Sequence, residues 1–427
     1  MVVPPHLLLY KSSMPDRNKS RKTALRELGI NILLCIASVG LFLGGAELLA
    51  RLWYAPEQIE SQKDFEYDRE KFFRWKRNLR SEYRGVPFST NSFGYRTPEI
   101  SVEKPKNTKR ILILGDSVSM GFALRDHESY PRFLEEDLNN HFAKQGEQQT
   151  IQVFNAATPG NATFQEYHDL KRNLQFDPDI IILQFTLNDV VPSHDESIYQ
   201  LLHEADLTHI ENKFAQFQDY LWGKKKLPRL FSIDYRLRQH SALYLFLKDV
   251  YSRMQFGDTT GNNIVANAQK KEIVLVRDLV SKPTNPEIEE SWKTTLGLMR
   301  EMTNLANRRG IPFIILATPW DFQMERTTQS AHPQNILKKF AQEQNVLYID
   351  ILEQMQTEFA LSRVGEETNP ETIARVISET SQSNPSALRE YWYALFQDFC
   401  HPTIEGHRFI AKAIQPVVLD TLRKTKE

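Results

Sequence analysis

From residue 110 onward, short apolar runs alternate with stretches in which apolar residues recur every three or four positions. The runs Arg110–Leu114, Ile151–Asn155, Asp179–Phe185, Pro312–Thr318 and Val346–Ile349 have strand length, and four of them are apolar almost throughout. A strand is apolar on both sides only where both sheet faces are covered, which is the situation of parallel sheets. Between the first two runs, Phe133, Leu134 and Leu138 share one helical face, and Pro131 sits near that helix's start, where a missing N–H costs nothing. Before the fourth run, Ile288, Trp292, Leu296, Met299, Thr303 and Ala306 recur at spacings of three and four until Gly310 ends the pattern. A last helix is expected from about Ile404 to Leu422, kinked at Pro416. The alternation predicts an α/β fold, a doubly wound parallel five-stranded sheet with ligand groups gathered at the carboxyl ends of its strands.

Two stretches interrupt the pattern. Residues 191–286 are too long for a loop and are expected to form a helical insertion after the third strand. That insertion carries Lys224-Lys225-Lys226 and a helix around Leu243–Leu247, and serves either as a lid or as a solvated decoration. The polar stretch 361–386 is expected to be loop with a short helix. Residues 51–108 are highly charged and are read as a stalk and an N-terminal extension, which leaves 109–427 as the main domain. Within the extension, Thr90–Arg96 has turn chemistry with Gly94 as its positive-φ candidate, either a structural turn or a cleft wall.

The N-terminus changes the picture. Leu28 to Ala46 runs 19 residues without a charge, roughly 28 Å of helix and about the thickness of a bilayer's hydrocarbon core. Residues 1–27 carry Lys11, Arg17, Lys19, Arg21, Lys22 and Arg26 ahead of it, so a transmembrane helix over 28–50 would place the N-terminus in the cytoplasm and the remainder outside. The competing reading is a signal peptide cleaved near Gly44-Gly45-Ala46. The long basic leader and the apolar pattern continuing through Leu48, Leu49 and Leu52 favour the uncleaved anchor. A net charge of −1 gives no reason to expect nucleic acid. Cys35 lies in the span and Cys400 beside His401, so no disulfide between them is expected.

Candidate chemistry collects at the expected strand ends. Ser117 follows the first strand in Gly115-Asp116-Ser117-Val118-Ser119, and Asp398 and His401 stand three residues apart just before the last helix. A hydroxyl, an imidazole and a carboxylate are the parts for acyl transfer: the imidazole takes the hydroxyl proton and the carboxylate fixes the tautomer. Ser119 stands where a G-x-S-x-G elbow needs its second glycine, which argues against the α/β-hydrolase fold. His407 is read as a helix-terminus side chain, His127 and His168 as surface groups, and Cys400 as a buried filler. Asp116 and Asp189 are expected to bond nearby backbone. No spacing suggests a metal, and no Gly-rich loop suggests a nucleotide cofactor.

Two further blocks, Asn155–Thr163 after the second strand and Thr186-Leu187-Asn188-Asp189 after the third, complete a set of four. That set resembles the SGNH (GDSL) hydrolase superfamily, and the resemblance implies a flavodoxin-like sheet. It also implies Ser117 as nucleophile, His401 as general base and Asp398 as its orienting carboxylate, with the Gly160 N–H, the Asn188 amide and the Ser117 N–H as an oxyanion hole. Two positions depart from the family pattern. Thr186 stands where glycine is usual, and a side chain there could narrow the cleft; Val118 replaces leucine. The expected activity is a membrane-anchored serine esterase acting on a short O-acyl ester of an envelope carbohydrate or lipid. An O-acyltransferase with the same triad, or a non-catalytic binding protein on the same fold, are the alternatives. Oligomeric state leaves no mark in the sequence.

Overall fold

The computed structural model describes residues 17–53, 64–190, 273–324, 331–365 and 369–424, apart from residues 84 and 275, together with parts of 233–250. Most of the expected insertion, its lysine run and its reading as a lid therefore lie outside the described residues, as do residues 1–16. The chain divides into two compact units, residues 1–59 with 237–258, and the remainder.

In the first unit, helix α1 spans Arg17–Trp53, and its residues 26–53 are long and apolar enough to cross a membrane. None of the side chains in its most apolar stretch is buried. Near its end, the Glu47 carboxylate accepts hydrogen bonds from Ser241 Oγ (2.7 Å) and from the backbone N–H groups of Ala242 and Leu243 (both 3.0 Å). Residues 242–247 are helical, so this carboxylate satisfies N–H groups that have no partner within their own helix. Arg51 pairs with Glu47 at 2.7 Å and donates to the His240 carbonyl at 2.5 Å.

The second unit opens with two antiparallel hairpins, β1 (Phe65–Asp68) with β2 (Phe72–Trp75), and β3 (Arg80–Tyr83) with β4 (Val86–Ser89). Trp75, Phe88, Met120 and Ala157 form a small buried cluster that joins these hairpins to the main sheet's loops. The turn after β4 is built by Asn91, whose Oδ1 accepts from the Phe93 and Tyr95 N–H groups at 3.0 Å. Gly94 has φ +85° there, and a Cβ would press to 2.8 Å from the Trp75 carbonyl.

Five parallel strands follow: β5 (Thr108–Leu114), β6 (Thr150–Asn155), β7 (Ile180–Phe185), β8 (Phe313–Ala317) and β9 (Leu347–Asp350), in spatial order β6-β5-β7-β8-β9. This is the flavodoxin-like, doubly wound α/β sheet that the apolar runs imply. Alternation along each strand assigns its residues to two cores. Leu112, Leu114, Ile181, Leu183, Phe313 and Ile315 face α4 (Thr163–Asn173), α5 (Pro286–Asn307) and α7 (His332–Gln344). Ile111, Ile113, Ile180, Ile182, Ile314 and Leu316 face α3 (Tyr130–Lys144), α8 (Ile351–Val364) and α11 (Ile404–Lys424). The short helices α2 (Ser117–Met120) and α6 (Asp321–Met324) follow β5 and β8.

One expectation needs correction. Residues 370–395, read in part as loop, form helices α9 (Pro370–Ser383) and α10 (Pro385–Leu395). Both begin with Pro after Asn, the Asn369 side chain caps the Thr372 N–H at 2.8 Å, and Val376 and Ile377 are buried. The local polarity hid a start signal of the usual kind. The last helix has the expected span: α11 runs from Ile404 through Pro416 to Lys424.

His407 lies in the first turn of α11, at the helix terminus where it was expected. It is fully buried, its Nδ1 accepts the Tyr130 N–H at 3.1 Å, and its ring stacks on Tyr130. Burial, helped by Arg96 and His401, pulls its pKa down to about 3. The unfolded chain therefore takes up a proton near pH 6.5 that the folded chain refuses until about pH 3. Stability contributed by the neutral ring is present above pH 6.5 and is lost as pH falls. Between pH 7 and pH 5 this group should cost about 2 kcal/mol. Denaturant unfolding should show that increment in the wild type and lose it in His407→Gln, whatever the variant's absolute stability.

Candidate active site

Strand β5 ends at Leu114, and Gly115 lets the chain turn tightly against β7: a Cβ there would stand 2.5 Å from Gln184 Oε1 and 2.8 Å from Ser119 Oγ. Asp116 then caps α2 by accepting the Val118 N–H at 2.9 Å, and Gly121 closes it in the left-handed region. Ser117 is thus the first residue of a short helix at the carboxyl edge of the sheet. Ser119, which breaks the elbow pattern, is on the buried side of that helix. Its Oγ bonds Tyr130 OH (2.6 Å) and Gln184 Oε1 (2.9 Å), its carbonyl accepts from Asn155 Nδ2 (2.8 Å), and Gln184 continues to Thr318 Oγ1 (3.1 Å). Side chains from the ends of β6, β7 and β8 therefore brace the helix that carries Ser117.

The structure brings Ser117, His401 and Asp398 into one hydrogen-bonded chain. His401 Nε2 lies 2.9 Å from Ser117 Oγ, and His401 Nδ1 lies 2.7 Å from Asp398 Oδ2. Asp398 Oδ1 accepts the backbone N–H groups of Cys400 (3.0 Å) and His401 (2.8 Å), so the carboxylate orders its own loop as well as the ring. The loop is held further by Trp392 Nε1 donating to the Asp398 carbonyl and by Gln397 Nε2 donating to the Phe122 carbonyl. The Phe122 ring stacks flat on the imidazole at 3.9 Å. Burial works against ionisation of Asp398, but its hydrogen bond and charge interaction with His401 and the two backbone donors hold it below the usual carboxylate value. Cys400 is buried with Sγ 3.8 Å from His401 Nδ1, on the ring side that faces Asp398.

The other two expected residues sit at the ends of β6 and β7. Gly160 has φ +75° in the loop 156–162, whose Thr158 N–H and Asn161 side chain both bond the Gly115 carbonyl (3.2 and 3.4 Å), two residues before Ser117. Asn188 is 5% exposed in the single turn Leu187–Val190, and its Nδ2 donates to Asp116 Oδ2 at 3.2 Å. The Asn188 amide is thereby tied to the residue next to the serine. Thr186 turns its hydroxyl toward Trp320, accepting the indole N–H at 2.8 Å. Asp189 accepts the Thr186 N–H, and burial with Glu166 and Asp116 nearby raises its carboxyl well above the ordinary value.

Sequence reasoning did not find Phe122, Gln184, Tyr130 or Trp392, which brace Ser117, His401 and Asp398 from four separate segments. Each is one ordinary residue in its own segment, so only the tertiary fold shows its role. His168, expected at the surface, is buried on α4 with its pKa lowered by that burial, whereas His127 is exposed.

A sequence model of the GDSL-like lipase/acylhydrolase family matches residues 113–409, most of the chain. This chain belongs to that family. It is accordingly an ester-hydrolysing enzyme, and the matched segment runs from β5 into α11, enclosing Ser117, Gly160, Asn188, Asp398 and His401. Among solved structures, this acylhydrolase is similar to an acetyl xylan esterase (13% identity, 72% of this chain and 99% of that one, TM-score 0.34). It is also similar to an acetylxylan esterase from Geobacillus stearothermophilus (14% identity, 72% and 92%, TM-score 0.33). A third is a member of the lipolytic G-D-S-L family from Veillonella parvula (12% identity, 72% and 97%, TM-score 0.33). No curated protein matches the sequence.

Proposed function

We propose that this GDSL-like acylhydrolase is a serine esterase anchored in the cytoplasmic membrane by α1, with its catalytic unit on the extracytoplasmic side. Its substrate is a short-chain O-acyl ester of an envelope carbohydrate or lipid. The observation that carries the chemistry is the hydrogen-bonded chain from Ser117 through His401 to Asp398 at 2.9 and 2.7 Å. Ser117 Oγ attacks the ester carbonyl carbon while its proton passes to His401 Nε2. The negative charge that develops on the carbonyl oxygen is met by the Gly160 and Ser117 N–H groups and the Asn188 amide, fixed donors of the kind typically worth about 10²–10³ in turnover each. The C–O bond to the alcohol then breaks, and His401 returns its proton to the leaving oxygen. Water repeats the cycle on the acyl-serine and releases the acid. Asp398, held ionised, keeps Nδ1 protonated so that Nε2 is the free base.

A fluorophosphonate should label the enzyme covalently at Ser117, read by mass spectrometry of the modified peptide. A folded, hydrolytically active protein that takes no label would refute the serine assignment. The basic residues ahead of the apolar stretch of α1 and the exposure of that stretch support the anchor and its direction. Protease added to intact spheroplasts should degrade the chain beyond residue 54; full protection would reverse the topology. The envelope substrate follows from that location, because an enzyme held there meets esters of the envelope first.

A further inference from the structure

Outside the family-matched residues, the β1–β2 turn sends a lysine into the interior. Lys71 is 1% exposed, and its ammonium lies 2.6 Å from Asp169 Oδ2 on α4, itself 1% exposed, and 3.5 Å from Thr158 Oγ1. The same Asp169 oxygen accepts Asn161 Nδ2 at 3.0 Å, and that amide also reaches the Gly115 carbonyl. Asn161 N–H returns to the Thr158 carbonyl, and Thr158 N–H to Gly115. Asp169 Oδ1 is buried without a hydrogen-bond partner, so among the described residues Lys71 and Asn161 supply this carboxylate's hydrogen bonds, while the Arg172 charge acts on it without bonding it. The side-chain bonds that Lys71 Nζ and Asp169 Oδ2 make beyond each other go to Thr158 and Asn161, in the loop that carries Gly160. From the same hairpin, Phe73 comes within 3.7 Å of where a Gly160 Cβ would stand.

A buried ion pair seldom adds net stability over an apolar pair of the same shape, and its best-attested use is to fix geometry. We propose that Lys71 is a positioning residue for acyl transfer: paired with Asp169, it fixes the 158–161 loop and hence the aim of the Gly160 N–H. The N-terminal extension is then part of the working site. This rests on Gly160 serving as an oxyanion donor. The ion pair is also a one-sided arrangement, because removing Lys71 leaves a buried carboxylate whose one remaining hydrogen bond among the described residues is from the Asn161 amide.

The test uses the full-length detergent-solubilised protein, p-nitrophenyl acetate as substrate, and fluorophosphonate taken to completion to count working sites. Lys71→Met should lower kcat per titrated site by about 10²-fold, the order expected when a catalytic group is misplaced by an ångström, with KM within about threefold. Lys71→Met combined with Asp169→Asn removes the lone buried charge and so secures a folded protein, and its kcat per site should still fall at least tenfold. Arg172→Gln is the control. Arg172 holds the same turn to the same helix through Asp68 (2.8 Å) and Glu70 (3.2 Å), but bonds nothing in the 158–161 loop. It should lower thermal stability and leave kcat per site unchanged. Wild-type kcat per site in either Lys71 variant, or an equal loss in Arg172→Gln, would overturn the proposal. If the wild type turns over ester yet takes no phosphonate, the serine assignment fails instead, and the Lys71 comparison is read per mole of folded protein.

Discussion

Ser117→Ala will lower kcat for a simple aryl ester by about 10⁶-fold while leaving the fold intact, the scale seen when a triad nucleophile is removed. The loss is this large because nothing beside Ser117 can take over. Cys400, the nearest thiol, lies on the Nδ1 side of His401, where Asp398 already occupies the ring nitrogen at 2.7 Å. Ser119, on the buried side of α2, is held by Tyr130 and Gln184. Residual activity over water would come from the oxyanion donors alone, about 10³–10⁴ above background in comparable sites. Stability should change little, since the Ser117 hydroxyl has His401 as its side-chain partner and α2 is capped by Asp116. The check is steady-state hydrolysis beside a thermal melt. An alanine variant within tenfold of wild type would remove Ser117 from the chemistry.

Asp398→Asn should cost about 10⁴ in kcat, through the tautomer rather than through the fold. Asp398 Oδ1 accepts two backbone N–H groups, from Cys400 and His401, so an asparagine must place its oxygen there to keep the loop. Its NH₂ then points at His401 Nδ1, which becomes an acceptor, and the ring proton moves to Nε2. That nitrogen can now donate to Ser117 Oγ but cannot take its proton. Raising the pH should restore part of the rate by ionising the serine directly, so the variant's kcat should keep climbing above pH 8 where the wild type has levelled. A variant with wild-type kcat and pH profile would show that Asp398 only organises its loop.

The sheet and the meeting of Ser117, His401 and Asp398 were legible for the same reason: both are written in local runs. Ile111–Leu114 and Ile180–Phe185 are apolar on consecutive positions, a pattern that only a doubly covered strand tolerates, and chemistry at strand ends follows from that architecture. Asp398 and His401 share a loop, so their pairing needs no knowledge of the fold. What stayed hidden is long range. Lys71 reads as one more charge in a charged hairpin, and its partner Asp169 lies 98 positions on. The burial of His407 stayed hidden because it depends on Tyr130, 277 residues away, delivering a backbone N–H to its ring. The helices over 370–395 were missed through polarity, since their stability comes from Val376, Ile377, Leu388 and Trp392 meeting the sheet's helices rather than from a continuous apolar stripe.

Glu47 gives the apolar N-terminal helix a structural role within its own unit. A soluble version cut free after Trp53 would lack the one carboxylate that accepts from Ser241, Ala242 and Leu243, and three donors at the head of that helical stretch would be handed to water. Trimming the N-terminus to ease purification should therefore fray residues 241–247, an effect that hydrogen–deuterium exchange on the two forms would register.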